Sequence, residues 1–291
     1  MSPSSPLAAT RTTSDPDIPP AADQEPAGHS DGVRATARIR AAHNGRVTTL
    51  PQLRSDGPFH LRRMRTHGNA ARVGIIGAMS APLGGDRLTL DITAEDRAEL
   101  EVTTAAAALA LRGPTTDAAT YDVRLTVAEH ASLRWLPQPL ISAAGSNLRQ
   151  SYTVELAATA RLVLREEQLL GRADEEPGHL VTRILVHRGG RTLLDQHTAY
   201  GAPEPGWDGP AVLNGHRAVG QLLLVGPGMD ARHDPVLLQE GSKDGCAVLT
   251  PLAGGPALLA TAVAPTSSVL RELLDEAHAQ ALGKQRGCSA A

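Results

Sequence analysis

The sequence predicts a mainly β protein. Its expected form is stacked antiparallel sheets, sandwich-like or superhelical, with a small α+β part at the C-terminal end that finishes in an amphipathic helix. Three observations carry that reading. Apolar residues recur at every second position in segment after segment. Gly, Pro and Asp break these segments at intervals of roughly ten to fifteen residues, the cadence of short stacked strands. One stretch near the C-terminus repeats at the helical period instead.

Residues 1–32 come first, rich in Pro, Ser, Asp and Ala with almost no large apolar side chain. Such a composition cannot bury enough surface to offset its ordering entropy, so a disordered tail is expected. Residues 33–209 read as the β-rich body. Ala37, Ile39 and Ala41 alternate with Arg38 and Arg40, and Asn44-Gly45 supplies a type I′ hairpin signal ahead of Val47 to Leu50. Leu88, Leu90 and Ile92 form the next alternating set, then Ala98, Leu100 and Val102, then Tyr121, Val123, Leu125 and Val127, then Tyr152, Val154 and Leu156. Each implies a strand with one buried and one wet face. No repeat in the sequence is strong enough to predict a repeat array. Residues 210–283 form the α+β part of the same domain. Ala218 to Val225 reads as a more fully buried strand, Pro235 to Glu240 as a short helix, and Val248-Leu249 and Leu258 to Val263 as strands. Ser267 or Ser268 can cap a helix whose Val269, Leu270, Leu273, Leu274, Ala277 and Ala281 make one apolar stripe, with Gly283 placed to end it. Residues 284–291 are expected to be a flexible tail.

Composition excludes several functions. The 291 residues carry a formal net charge of −3, so no positive excess points to nucleic acid or an anionic membrane. Aromatic residues make up 2%, too few for base-stacking platforms. The two cysteines, Cys246 and Cys288, cannot build a disulfide framework or a Cys-x-x-Cys metal site, which suits a reducing cytoplasm. No apolar run approaches about 18 residues, and the N-terminus lacks a signal-peptide core. A cytoplasmic protein is expected.

Catalytic signatures are missing: no phosphate loop, dinucleotide fingerprint, zinc helix or nucleophile elbow occurs. The 11 histidines show no metal-ligand spacing, and each is read as solvated or singly hydrogen-bonded. Gly84-Gly85-Asp86 precedes a strand, and on physics alone it is a turn before it is a functional carboxylate. Thr103-Thr104 ends the next strand, where β-branched residues are ordinary. Pro137-Gln138-Pro139 stops the strand carrying Trp135, because proline lacks the ladder donor. Glu166 and Glu167 sit ahead of Gly171-Arg172. Neighbours on a strand point to opposite faces, so at least one could turn inward, with Arg172 as a candidate partner.

Taken in order, these features resemble the UreD (UreH) family of urease accessory proteins. They are the opening hairpin followed by Ser55-Asp56-Gly57-Pro58, then Gly84-Gly85-Asp86-Arg87-Leu88, Val102-Thr103-Thr104 with an Ala run, Leu136-Pro137-Gln138-Pro139-Leu140-Ile141, and Glu167 with Gly171-Arg172. Gly206 to Ala211 followed by Val219-Gly220 is similar to the actinobacterial branch. The resemblance runs from about Val33 to about Leu282. It departs at Ala105 to Ala108, where larger or polar residues are usual, and in the polar end from Gly283 to Ala291. The resemblance implies a non-enzymatic scaffold in the complex that delivers nickel to apo-urease. Its implied partners are a UreF-like protein, a UreG-like GTPase and apo-urease. It implies no tightly bound cofactor, but transient Ni²⁺ in an internal passage lined by Asp86 and Glu167. The rival reading is a β-sandwich carbohydrate-active hydrolase using that same carboxylate pair.

Overall fold

The computed structural model describes residues 32–66, 68–229, 234–238 and 245–288; the expected tail over residues 1–32 lies, except for Gly32, outside them, as does the last part of the expected tail over residues 284–291. Among the described residues, eighteen strands precede one helix: β1 (Arg34–His43), β2 (Thr48–Arg54), β3 (Phe59–Arg63), β4 (Ala71–Gly77), β5 (Arg87–Ala94), β6 (Glu99–Thr104), β7 (Ala108–Ala110), β8 (Ala119–Val127), β9 (Ser132–Leu136), β10 (Leu140–Ser142), β11 (Asn147–Leu156), β12 (Arg161–Leu170), β13 (His179–Arg188), β14 (Arg191–Tyr200), β15 (Ala218–Val225), β16 (Val236–Leu238), β17 (Cys246–Pro251), β18 (Ala257–Ala264) and α1 (Ser267–Cys288). The fold is mainly β, with stacked sheets and a C-terminal helix, as the alternation predicts.

The pairing sense differs from expectation. The first sheet runs β14-β13-β11-β8-β5-β1-β2 and the second β16-β17-β18-β15-β12-β9-β6-β4-β3. From β1 to β13 the first sheet is parallel, and so is the second from β4 to β12. Antiparallel pairs lie outside these stretches, among them β1 with β2, β13 with β14 and β12 with β15. The cause is the path of the chain. Successive strands β4, β5, β6, β8, β9, β11, β12 and β13 alternate between the sheets, so the chain coils as a solenoid. Short arches make the crossings. Ala98, Ala131 and Ala160 each close one by donating to the carbonyl three residues back, at Glu95, Ala128 and Ala157. All three alanines are fully buried, and a larger side chain would press on the core.

Two cores result. The larger lies between the sheets and takes Leu88, Leu90, Val123, Leu125, Trp135, Val154, Leu162 and Leu164 among others. The smaller lies under α1, where Leu270, Leu273, Leu274, Ala277 and Ala281 meet Leu222, Leu224, Ala260, Ala262 and Ala264. Three local expectations need correction. The hairpin turn is a four-residue loop in which Asn44 Oδ1 accepts from the amides of Arg46 and Val47, so it is not a two-residue type I′ turn. Val236 to Leu238 is a strand paired with Ala247 to Leu249, because tertiary pairing overrides a short helical pattern. Gly283 does not end the helix, which continues to Cys288.

Candidate functional site

Asp86 lies in the turn before β5 and is 2% exposed. One carboxylate oxygen accepts from the amide of Val33 and the other from the amide of Leu83, both at 2.8 Å. One oxygen therefore holds Val33 against this turn, and the other closes the turn itself. Gly85 adopts φ +94°, and Gly32 comes so close that a Cβ on it would lie 2.2 Å from the Gly85 carbonyl carbon.

On β12 the pleat separates the two glutamates. Leu162, Leu164 and Leu170 belong to the core between the sheets, so Glu166 and Gln168 share that inner face. Val163 and Leu169 pack with the α1 core, and Glu167 shares their outer face. Inside, Gln168 Nε2 donates to Glu166 Oε1 at 2.9 Å and to Thr182 Oγ1 at 2.8 Å. Gln150 Nε2 donates to the Tyr152 hydroxyl at 3.0 Å. Gln221 stands directly opposite Glu166 on β15. The Oε1 atoms of Gln150 and Gln221 are buried without a hydrogen-bond partner. No cation pairs with Glu166 among the described residues, and burial pushes its pKa up to about 8. Burial, followed by the Glu166 charge, also raises the Tyr152 hydroxyl well above its ordinary range.

Outside, Glu167 Oε1 accepts from Arg165 Nε at 2.6 Å, and Arg271 Nη2 lies 3.8 Å from Oε2. Arg165 also pairs with Asp275 on α1, and Arg271 donates to Gln138 Oε1 at 3.1 Å. Gln138, held between Pro137 and Pro139, thus tethers the helix. Its backbone N–H donates to Thr104 Oγ1, and the Thr104 hydroxyl in turn donates to the Ala106 carbonyl. The Thr103 hydroxyl makes a long 3.5 Å bond to the Thr104 carbonyl. The partner of Glu167 is Arg165, not the expected candidate Arg172. Arg172 pairs with Glu175, whose carboxyl its guanidinium holds down at about 2. Gly171 is required in this loop: it adopts φ +89°, and a Cβ there would lie 2.4 Å from the Glu175 carbonyl oxygen.

The structure therefore gathers Thr103, Pro137, Gln138 and Glu167 in one recess on the outer face of the second sheet. Asp86, Gly85 and the Gly171-Arg172 loop are not among its lining residues. Sequence reasoning missed Glu166 as the inward carboxylate. The parity of Leu162 and Leu164 was the signal that could have found it. Groups of three or more His, Cys, Asp or Glu residues able to hold a metal ion do not occur among the described residues.

These features define a class before a family: a solenoid-like β protein whose polar groups mostly fasten strands, turns and one helix to each other. Residues 33–290 match the family model of the UreD urease accessory protein. The chain is 62% identical over 256 residues to the urease accessory protein UreD 2 of Saccharopolyspora erythraea, covering 87% of this chain and 90% of the relative. It is 55% identical to UreD 3 of Streptomyces griseus subsp. griseus, covering 86% and 97%, and 35% identical to UreD of a Parafrankia species, covering 88% and 92%. The chain belongs to the UreD family of urease accessory proteins.

Proposed function

We propose that this protein is a non-catalytic scaffold in the complex that loads nickel into apo-urease, working with a UreF-like protein and a UreG-like GTPase in the cytoplasm. The ion passes between the two sheets. One observation supports this most: the polar group around Glu166 in an interior built mainly of apolar side chains. A carboxyl there with no cation beside it, and amide oxygens left without donors, is a costly arrangement for stability alone. Oxygen donors of this kind hold Ni²⁺ weakly enough to release it, where a His or Cys site would trap it. Glu166 is better placed for the passage than Asp86, whose oxygens are both engaged, or Glu167, which faces two guanidinium groups.

The hydrolase reading loses ground on the same geometry. Paired carboxylates must face one substrate bond. Asp86 caps a backbone turn, and Glu167 lies in a recess of which Asp86 is not a lining residue. The test is the nickel content of urease per assembled complex. Glu166→Ala should lower it severalfold with assembly intact, whereas Asp86→Ala should reduce only the amount of complex. Wild-type nickel content in Glu166→Ala would remove the passage from this interior.

A further inference from the structure

Helix α1 packs on β12, β15, β17 and β18. Beside the helix, lined by residues of β6, β9, β12 and α1, lies a recess of about 250 Å³. Thr103 and Leu136 line it on the strand side, Arg72 lines it too, and Arg165 and Arg271 stand toward the helix. Glu167 lines it as well, with a side chain only 2% exposed. Its Oε1 is bound by Arg165, but its Oε2 is buried with no hydrogen-bond partner. A buried carboxylate oxygen without a donor is costly. Among the described residues no other group supplies one: Arg271 remains 3.8 Å away and donates to Gln138 instead.

We propose that this recess is a docking socket for one neutral amide side chain, Asn or Gln, presented by a protein partner. Charge selects against a cation. Glu167 already faces Arg165 and Arg271, and Glu101 at the same recess faces Arg72 at 2.8 Å and Arg134 at 3.4 Å. A lysine or arginine would enter beside three guanidinium groups. A carboxylate would meet the unpartnered Oε2 as a second acceptor. An amide supplies the missing donor and presents its own oxygen to Arg72. A recess of this size admits one such side chain.

The inference rests on the accessory reading only for the choice of partner. Binding of the purified full-length chain is measured by calorimetry against the UreF-like protein and against apo-urease. Thr103→Met fills the recess while leaving Glu167 and Arg165 in place and should weaken one of the two interactions by about tenfold or more with an unchanged melting temperature. Thr103→Val leaves the space open and should stay within about twofold of wild type. One Asn→Ala or Gln→Ala change on the partner should then be non-additive with Thr103→Met. Equal binding by Thr103→Met overturns the socket, and non-additivity with a partner Lys or Arg overturns the amide. A wild-type chain that binds neither protein overturns the accessory reading instead, so the two failures are told apart.

Discussion

Glu166 and Glu167 adjoin in sequence, yet the pleat sends one into the interior between the sheets and the other to a guanidinium-lined seam. That divergence was legible in part: neighbours on a strand must face opposite ways, and only the parity of the flanking leucines says which faces inward. The partner of Glu167 was not legible, because Arg165 and Arg172 are both close in sequence and only the loop geometry at Gly171 assigns Arg172 to Glu175. The inward placement makes stability depend on pH. The folded carboxyl of Glu166 titrates at about 8, above its unfolded value of about 4.3, so the native state keeps a proton that the unfolded chain has released. This group's contribution therefore falls as pH rises through that window, by about 1.4 kcal/mol per pH unit. Glu166→Gln should remove that slope and be more stable than wild type at pH 8. Glu175 does not confuse the comparison, since it titrates below the window. His278, whose pKa burial lowers, titrates alike in both proteins and cancels. Parallel urea midpoints from pH 5 to pH 8.5 in the two proteins would show that Glu166 does not carry the proton.

At the scale of elements, α1 was the most legible piece, because its stripe repeats at 3.6 residues and its partners are aliphatic. Leu270, Leu273 and Leu274 are each at most 1% exposed. Gly220 lets the helix approach: a Cβ there would lie 2.9 Å from Leu274 Cδ1 and 3.0 Å from the Glu166 carbonyl oxygen. Leu273→Asp should cost about 3 kcal/mol or more, through an unpaired charge in the second core. An unchanged melting temperature in this variant, with loss of a partner, would make the helix an interface instead of a packed lid. The end of the helix was misread for a physical reason. Glycine at C′ is a preference, and an interior glycine costs only about 1 kcal/mol, which a helix can absorb. The strands themselves were legible from alternation, but their pairing sense was not. Alternation says which face is buried and nothing about which neighbour runs beside it.

For the whole molecule, the solenoid path was the least legible feature, yet it left a trace. Thr93-Ala94-Glu95-Asp96-Arg97-Ala98-Glu99-Leu100, Thr126-Val127-Ala128-Glu129-His130-Ala131-Ser132-Leu133 and Glu155-Leu156-Ala157-Ala158-Thr159-Ala160-Arg161-Leu162 share a buried Ala two residues before a Leu. In each, the arch hydrogen bond is the same. The pattern is short and otherwise degenerate, so sequence alone does not raise it above chance. Its consequence is an uneven distribution of stability. β8 lies between β5 and β11 with parallel ladders on both sides, and its inward residues fill the core between the sheets. Helix α1 rests on one face only, with Glu272 and Glu276 exposed on the other. Opening the second core exposes the outer face of β15 and β18 without breaking the arches. Local opening should therefore release α1 at a lower free energy than it releases β8. In native-state hydrogen exchange, amides of β5, β8 and β11 should be protected on the order of a hundredfold more than those of α1. Glu166→Gln should leave that ratio in place, because the carboxyl lies on the inner face away from the helix. Equal protection in α1 and β8 would mean that both cores open as one cooperative unit, with the helix bound into the solenoid as firmly as its strands.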